Sequence, residues 1–343
     1  MKRWQTLAIG IGISAIALYL AFRQTDIGAA LTTFRTARYS FIALGIGITI
    51  VGIVIRGWRW WLLTNRQLPL ADSFWLWNVG FFFNNILPAR LGEVVRALLA
   101  GRRQTMSFAS AFSSIVVERL FDMIAVVVML GIALIGLDLP GWARSAGIVM
   151  GLGATGGIVF LALAARHQEW ALRFSSKLLS TLPRITEESG RALIKPFIDG
   201  LGGVSDWHIF IGGLGLSIFA WLVSAVTTWV VLLAFWPDAS FIKGVLVVAT
   251  AGLGFSIPSA PSGVGPYEAA VIGTLTALGY EANASRSFAV AIHLISFLVT
   301  SLLGIIGLIR EGVSIRELTS EANALKTQLS PDPGLAGAPP ETR

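Results

Sequence analysis

Glu93, Glu118, Arg119, Asp122 and Glu268 stand in apolar surroundings where ionised side chains are costly, with Arg90 close to the first of them. Charges at such depth face a bundle interior and mark a pathway or an internal ion pair. Two chemistries are open to them. A guanidinium or a helix N-terminus can hold an anionic headgroup, and a carboxylate within hydrogen-bond reach of a nucleophile can act as a base. Glu118 and Asp122 share one helix face with Arg119 beside it, so mutual neutralisation is an equal reading. Arg90 can meet a headgroup or Glu93. Asn84 and Asn85 read first as packing amides, and His293 as a satisfied residue of the bundle. His167 and His208 fall at membrane interfaces. No His/Asp/Glu cluster has metal-ligand spacing and no Walker-type loop is present, so no cofactor is expected. The absence of cysteine removes disulfides, thiol catalysis and thiolate metal sites together.

The elements that carry these residues occur as a pair. One is Pro88-Ala89-Arg90-Leu91-Gly92-Glu93, the other Pro261-Ser262-Gly263-Val264-Gly265-Pro266-Tyr267-Glu268. In both, a proline precedes a glycine by four positions and a glutamate follows closely. Each splits an apolar stretch into two pieces too short to cross a bilayer. Paired interruptions in corresponding parts of two halves point to a substrate site in a transporter built from inverted repeats. Non-helical backbone survives in hydrocarbon only where it is buried in protein or lines a wet cavity, so two breaks imply a polar cavity between the halves. In the second element the sequence predicts Gly265 as N-cap and Pro266 as the first helical residue. Glu268 then reads equally as a helix cap or as a site residue.

Composition sets the class. Only 13% of the 343 residues are charged, 55% are hydrophobic, and the mean hydropathy is +0.73. Several stretches reach the roughly 20 apolar residues that span a hydrocarbon core. The chain reads as an all-α polytopic membrane protein; a β-barrel is excluded because these runs do not alternate. The net charge of +7 fits basic loops at a cytoplasmic face rather than nucleic acid.

Spans are expected at about 7–22, 41–61, 108–135, 146–165, 209–235 and 287–309. The second ends in Arg56-Gly57-Trp58-Arg59-Trp60-Trp61, a belt of the kind found at headgroup level. The first run has no cleavage site of the signal-peptide type and reads as a retained span. Phe74–Ala100 and Val245–Leu278 are expected to form re-entrant hairpins that meet near the midplane, with Gly101 as a C-cap. Membrane domain 1–312 thus divides into halves of about 1–136 and 145–310, six spans plus two hairpins in an inverted repeat. The segment 166–206 is polar and basic; Trp170, Phe174, Leu178 and Leu182 recur every four residues in it, as in a helix lying in the interface or packing on the protein. The tail 313–343 reads as disordered. Basic clusters at 166–195 and 310–316 place both termini in the cytoplasm, although Arg23, Arg35 and Arg38 in the expected external loop oppose this.

The run Asn84-Asn85-Ile-Leu-Pro88-Ala-Arg90-Leu-Gly92-Glu93-Val-Val-Arg96, followed by Glu118-Arg119-Leu-Phe-Asp122, resembles the flippase-like membrane domain of lysylphosphatidylglycerol synthase/flippase. Pro258-Ser-Ala-Pro261-Ser-Gly263-Val-Gly265-Pro-Tyr267-Glu268 is similar to that family's second signature. The resemblance covers the chain to about Arg310. It implies about eight helical elements and a role in moving or handling lipids, in the plasma membrane. It makes Asn84, Asn85, Pro88, Arg90, Gly92, Glu93, Arg96, Glu118, Arg119, Asp122, Pro261, Gly263, Gly265, Tyr267 and Glu268 the candidate substrate-binding residues. Bifunctional members carry a soluble aminoacyl-transfer domain that this sequence lacks, so lysyl transfer is not expected. The resulting expectation is a translocator without ATP hydrolysis for a phospholipid or polyprenyl-phosphate lipid with an anionic or zwitterionic headgroup. The alternative is a membrane-embedded transferase on a polyprenyl-phosphate sugar, with Glu93, Glu118 or Asp122 as base.

Overall fold

Hydrocarbon offers no hydrogen-bond partner, so a chain this apolar satisfies its backbone inside helices. The computed structural model describes residues 12, 15–21, 27–87, 90–103, 105–180, 191, 207–257, 259–314 and 317–318, with no strand among them. In chain order its helices are α1 (Ile27–Thr36), α2 (Tyr39–Leu63), α3 (Leu70–Ile86), α4 (Leu91–Gly101), α5 (Phe108–Gly136), α6 (Gly141–Arg166) and α7 (Gln168–Ser180). They continue as α8 (Trp207–Phe235), α9 (Phe241–Ser256), a 3₁₀ turn at Pro261–Gly263, α10 (Pro266–Ala277) and α11 (Ala282–Glu311). Residues 15–21 are also helical. Among the described residues, α2, α5, α8 and α11 are long and apolar enough to cross a membrane. On α11, Leu294, Leu298, Leu302, Ile305 and Ile309 form an exposed apolar stripe at helical spacing. The chain is a multi-pass membrane protein.

Local chemistry sets several boundaries. The Ser107 hydroxyl caps α5 by accepting from the Ser110 N–H, and the Glu281 carboxylate caps α11 by accepting from Asn283 and Ala284. Gly312, at φ +64°, ends α11. Gly101 is not the left-handed cap expected of it; α4 runs through it to Arg102, which keeps right-handed backbone.

Antiparallel pairing organises the bundle. α2 lies against α8: the Arg38 N–H donates to the Ala234 carbonyl, Arg59 to Ser217 Oγ, and Arg56 to Ser224 Oγ, so residue numbers fall on one helix as they rise on the other. Exchanging α2 with α8, α3–α4 with α9–α10, and α5 with α11 preserves the pattern of neighbours. α3 packs on α11 and α9 on α5, while α4 lies beside α5 and α10 beside α11. Each interrupted segment folds back on itself. Asp72 pairs with Arg103 at 3.1 Å across α3–α4, and Lys243 Nζ donates to the Tyr280 hydroxyl at 3.1 Å across α9–α10.

Three readings from the sequence change or stay open. Arg59 and Trp60 are fully buried, so the expected belt is in part an interior surface; only Trp58 is well exposed within it. α1, for which no helix was expected, lies within the loop between the first two expected spans. In α7, Ala171, Leu172 and Ser176 face the protein while the stacked pair Trp170 and Phe174 points outward. Half of the expected 7–22 span, most of 181–206 and nearly all of the 313–343 tail lie outside the described residues, as does Pro88.

Candidate functional site

Glu118 is the node of the interior. On α5 it is fully buried, and its two oxygens meet Arg59 at 2.8 Å, Arg96 at 2.8 Å and Arg119 at 2.7 Å. The Trp77 indole N–H also donates to it, at 3.3 Å. One turn on, Asp122 accepts from Arg59 at 2.5 Å and from the Trp221 indole at 2.9 Å, with Arg119 at 3.5 Å. Glu93 lies 3.6 Å from Arg119. Three guanidinium groups thus face three carboxylates drawn from α2, α4 and α5, and the set is neutral. Such a buried set holds together through mutual pairing; its cost falls on whichever partner is left alone. Here the ion-pair reading of Glu118, Arg119 and Asp122 holds in the geometry, and Arg90 does not pair with Glu93.

Gly92 is required by close approach. Its N–H donates to Asn84 Oδ1 at 2.9 Å, and a Cβ there would stand 1.9 Å from the Gly80 carbonyl oxygen and 2.7 Å from the Asn84 backbone nitrogen. Neither neighbour is a flexible side-chain end. Gly92→Ala is therefore expected to cost about 3 kcal/mol or more, the upper range for overpacking. Thermal unfolding in detergent checks this, and wild-type stability in the variant would overturn the close approach.

The two breaks share a backbone signature two residues after each proline. Arg90 has φ +54° and Gly263 has φ +71°. Glycine adopts this left-handed region freely, whereas an arginine there is strained. At the second break Gly265 has φ +99° and stands before Pro266, and its N–H donates to Glu268 Oε2 at 2.7 Å. Both readings of Glu268 meet here. It caps α10, and its other oxygen lies 2.5 Å from His293 Nδ1.

The breaks touch each other. Arg90 Nη2 donates to the Phe255 carbonyl at 2.7 Å, with the guanidinium over the Phe255 ring, and the Ser262 hydroxyl lies 3.3 Å from Asn85 Oδ1. Beside them lies a cavity of about 590 Å³ between α2, α3, α5, α8, α9, α11 and the second break. Arg56, Asn85, Arg90, Arg119, Asp122, Ser262, Tyr267 and His293 supply its polar lining, and Trp221, Phe255 and Phe297 part of its apolar wall. Arg56 donates to the Gly52 carbonyl and to Ser224, Arg90 to a carbonyl only; neither has a carboxylate partner among the described residues. The cavity therefore carries two guanidinium groups without a carboxylate partner, beside the Glu268 carboxylate held by His293.

Of the candidate residues, Asn85, Arg90, Arg119, Asp122 and Tyr267 line this cavity. Glu118 and Arg96 lie behind it, with Arg96 over the Trp60 ring. Glu93, Asn84 and Gly92 sit at the α3–α4 contact, while Gly263 and Gly265 shape the second break. Pro261 opens the 3₁₀ turn. Sequence reasoning passed over Arg56 and Arg59, which looked like headgroup anchors, and set His293 aside. An arginine pair three residues apart inside an apolar helix was the available signal.

The chain matches the family described as the lysylphosphatidylglycerol synthase TM region over residues 7–304. Among curated proteins it is 26% identical to a glycosyltransferase, AglD, of Haloferax volcanii, across 94% of this chain; it spans 57% of that protein's length. It is 24% identical to a UPF0104 membrane protein of Methanothermobacter thermautotrophicus, covering 89% of this chain and 92% of the relative. A UPF0104 membrane protein of Pyrococcus horikoshii is likewise 24% identical, over 89% of this chain and 96% of its own. No solved structure matches. With its two breaks, its buried arginine–carboxylate network and its apolar helices, the chain belongs to the family of lysylphosphatidylglycerol synthase transmembrane regions.

Proposed function

We propose that the protein translocates a lipid whose headgroup carries phosphate, a phospholipid or a polyprenyl-phosphate-type lipid, without ATP hydrolysis. The observation that carries the reading is the cavity between the two breaks, lined by Arg56 and Arg90, neither of which has a carboxylate partner among the described residues. In a low-dielectric site, guanidinium groups without a carboxylate partner favour an anion. Acyl tails can stay in lipid while the headgroup crosses, so no wide pore is needed. In this reading the segments α3–α4 and α9–α10 are re-entrant hairpins in an inverted repeat, the bilayer plane containing the axis that exchanges the halves. The site residues are those expected from the sequence, joined by Arg56 and His293, and the host is the plasma membrane with both termini cytoplasmic.

The second reading is a membrane-embedded transferase, supported by the relative that is a glycosyltransferase aligned over 94% of this chain. The contacts of Glu118 and Asp122 speak against either as the base, whereas Glu93, with one contact to Arg119 at 3.6 Å, stays open to that role. Glu118 is buried under three arginines, and Asp122 already accepts from Arg59 and Trp221. A base needs a lone pair within reach of the nucleophile.

Reconstitution in liposomes with fluorescent anionic and zwitterionic lipids tests the choice. Exchange between leaflets above the background of empty vesicles is the expected result, and background exchange across phospholipids and polyprenyl-phosphate lipids would promote the transferase. Hairpin topology has its own check, because the native chain has no cysteine. Single cysteines at positions 72 and 102 should label from the same side of the membrane. Labelling from opposite sides would make the first segment a true span and remove the re-entrant hairpin.

A further inference from the structure

The strand of hydrogen bonds from Glu268 through His293 and Ser262 to Asn85 joins the second break to the first. We propose that it is a proton-binding latch: one proton taken up by the Glu268–His293 pair turns the Ser262 hydroxyl from His293 to Asn85 and so ties the two breaks together. The idea rests on the transport reading for its purpose and on hydrogen-bond accounting for its geometry.

The accounting starts at the 2.5 Å contact of His293 Nδ1 with Glu268 Oε1. Two lone pairs cannot face each other at that separation, so a proton lies between them. With that proton alone, Nε2 has a lone pair, and the Ser262 hydroxyl 3.0 Å away must donate to it. A hydroxyl has a single proton to give. Asn85 Oδ1, 3.3 Å from the same oxygen, then loses its donor. With one more proton on the pair, placed at Nε2 of the imidazole, that nitrogen becomes a donor to Ser262 Oγ. The Ser262 proton is released to Asn85 Oδ1. The amide cannot rotate to escape the choice, because its nitrogen donates to Thr300 Oγ1 at 2.9 Å and to Ser301 Oγ at 3.0 Å. Thr300 in turn donates to the Ser296 carbonyl at 2.7 Å, so its oxygen is an acceptor.

Position makes the switch consequential. Ser262 has left-handed backbone at φ +61° in the second break, and Asn85 is in the last turn of α3 at the first. Ser262, Asn85 and His293 also line the charged cavity. The groups that face His293 are Glu268 at Nδ1 and the Tyr267 ring, 4.6 Å from the imidazole, both from α10. Arg56 from α2, Arg90 beside α4, and Arg119 with Asp122 from α5 share the cavity with it. An anion held by these cations would lie in the same cavity as the latch.

The test uses full-length protein in lipid nanodiscs with spin labels on Ile86→Cys and Ile257→Cys, two partly exposed positions flanking the breaks in a chain without cysteine. The expected result is a shift of the label distance toward shorter values as pH falls from about 8 to about 5. Ser262→Ala keeps the Glu268–His293 pair but removes the relay, and should abolish the shift; His293→Gln should do the same. A wild-type distance that ignores pH, or a shift that survives in Ser262→Ala, would overturn the latch. Lipid exchange measured on the same preparations separates the two ideas. A shift without exchange removes transport and leaves the latch, while pH-independent exchange without a shift removes only the latch.

Discussion

Replacing Glu118 with leucine is expected to destabilise the bundle by about 3–5 kcal/mol, the range for stranding one member of a buried ion pair. The stranded residue is identifiable. Arg59 retains Asp122, and Arg119 retains Asp122 and Glu93, but Arg96 has no carboxylate other than Glu118 among the described residues. Arg96 is buried under the Trp60 ring, which softens the loss without replacing an anion. The sharper expectation is therefore a rescue. Glu118→Leu combined with Arg96→Leu should recover most of the stability, since removing both partners of a buried pair is often near neutral. Heat-induced loss of the monodisperse peak in detergent measures both variants. A double variant no better than the single one would show that Arg59, not Arg96, is the residue left uncompensated.

That network also shows how far the sequence could be read. The helices were legible because hydrophobic length and turn residues fix them locally. α5 begins at its Ser107 cap, and the expected break at Gly265-Pro266 opens α10 as foreseen. The pairing of Glu118 with Arg119 was legible as well, because neighbours in sequence need no fold to meet. Arg59 and Arg56 were not. Their neighbours Trp58, Trp60 and Trp61 carry the composition of a headgroup belt, and only the antiparallel packing of α2 on α8 turns that face inward to Ser217 and Ser224. The partners of His293 were illegible for a related reason. The residue is satisfied, as expected of a bundle residue, but its partners Glu268 and Ser262 come from a break 25 to 31 residues earlier. Contacts across such distances carry no local signal.

Arg90 separates stability from activity most cleanly. Its backbone is left-handed, which costs an L-residue about 1–2 kcal/mol, so Arg90→Gly should leave the fold at least as stable as the wild type, less the contact on Phe255. Its guanidinium has no carboxylate to strand, unlike Arg59 or Arg96. If Arg90 and Arg56 hold the headgroup, each loses a charge-assisted hydrogen bond of about 1.5–3 kcal/mol when replaced by glutamine. That corresponds to roughly a ten- to 150-fold slower exchange of an anionic lipid, provided the contact is made in the crossing state. Removing both charges leaves no cavity guanidinium free of a carboxylate partner, so the double variant should fall to the background of empty vesicles. It should remain folded, because neither residue is a partner of Glu118 or Asp122 in an ion pair. Exchange of anionic lipid at the wild-type rate by a folded Arg56→Gln, Arg90→Gln protein would detach these two charges from transport. The cavity's arginines would then be reduced to a contact between the halves, made through the Phe255 carbonyl and Ser224 alone.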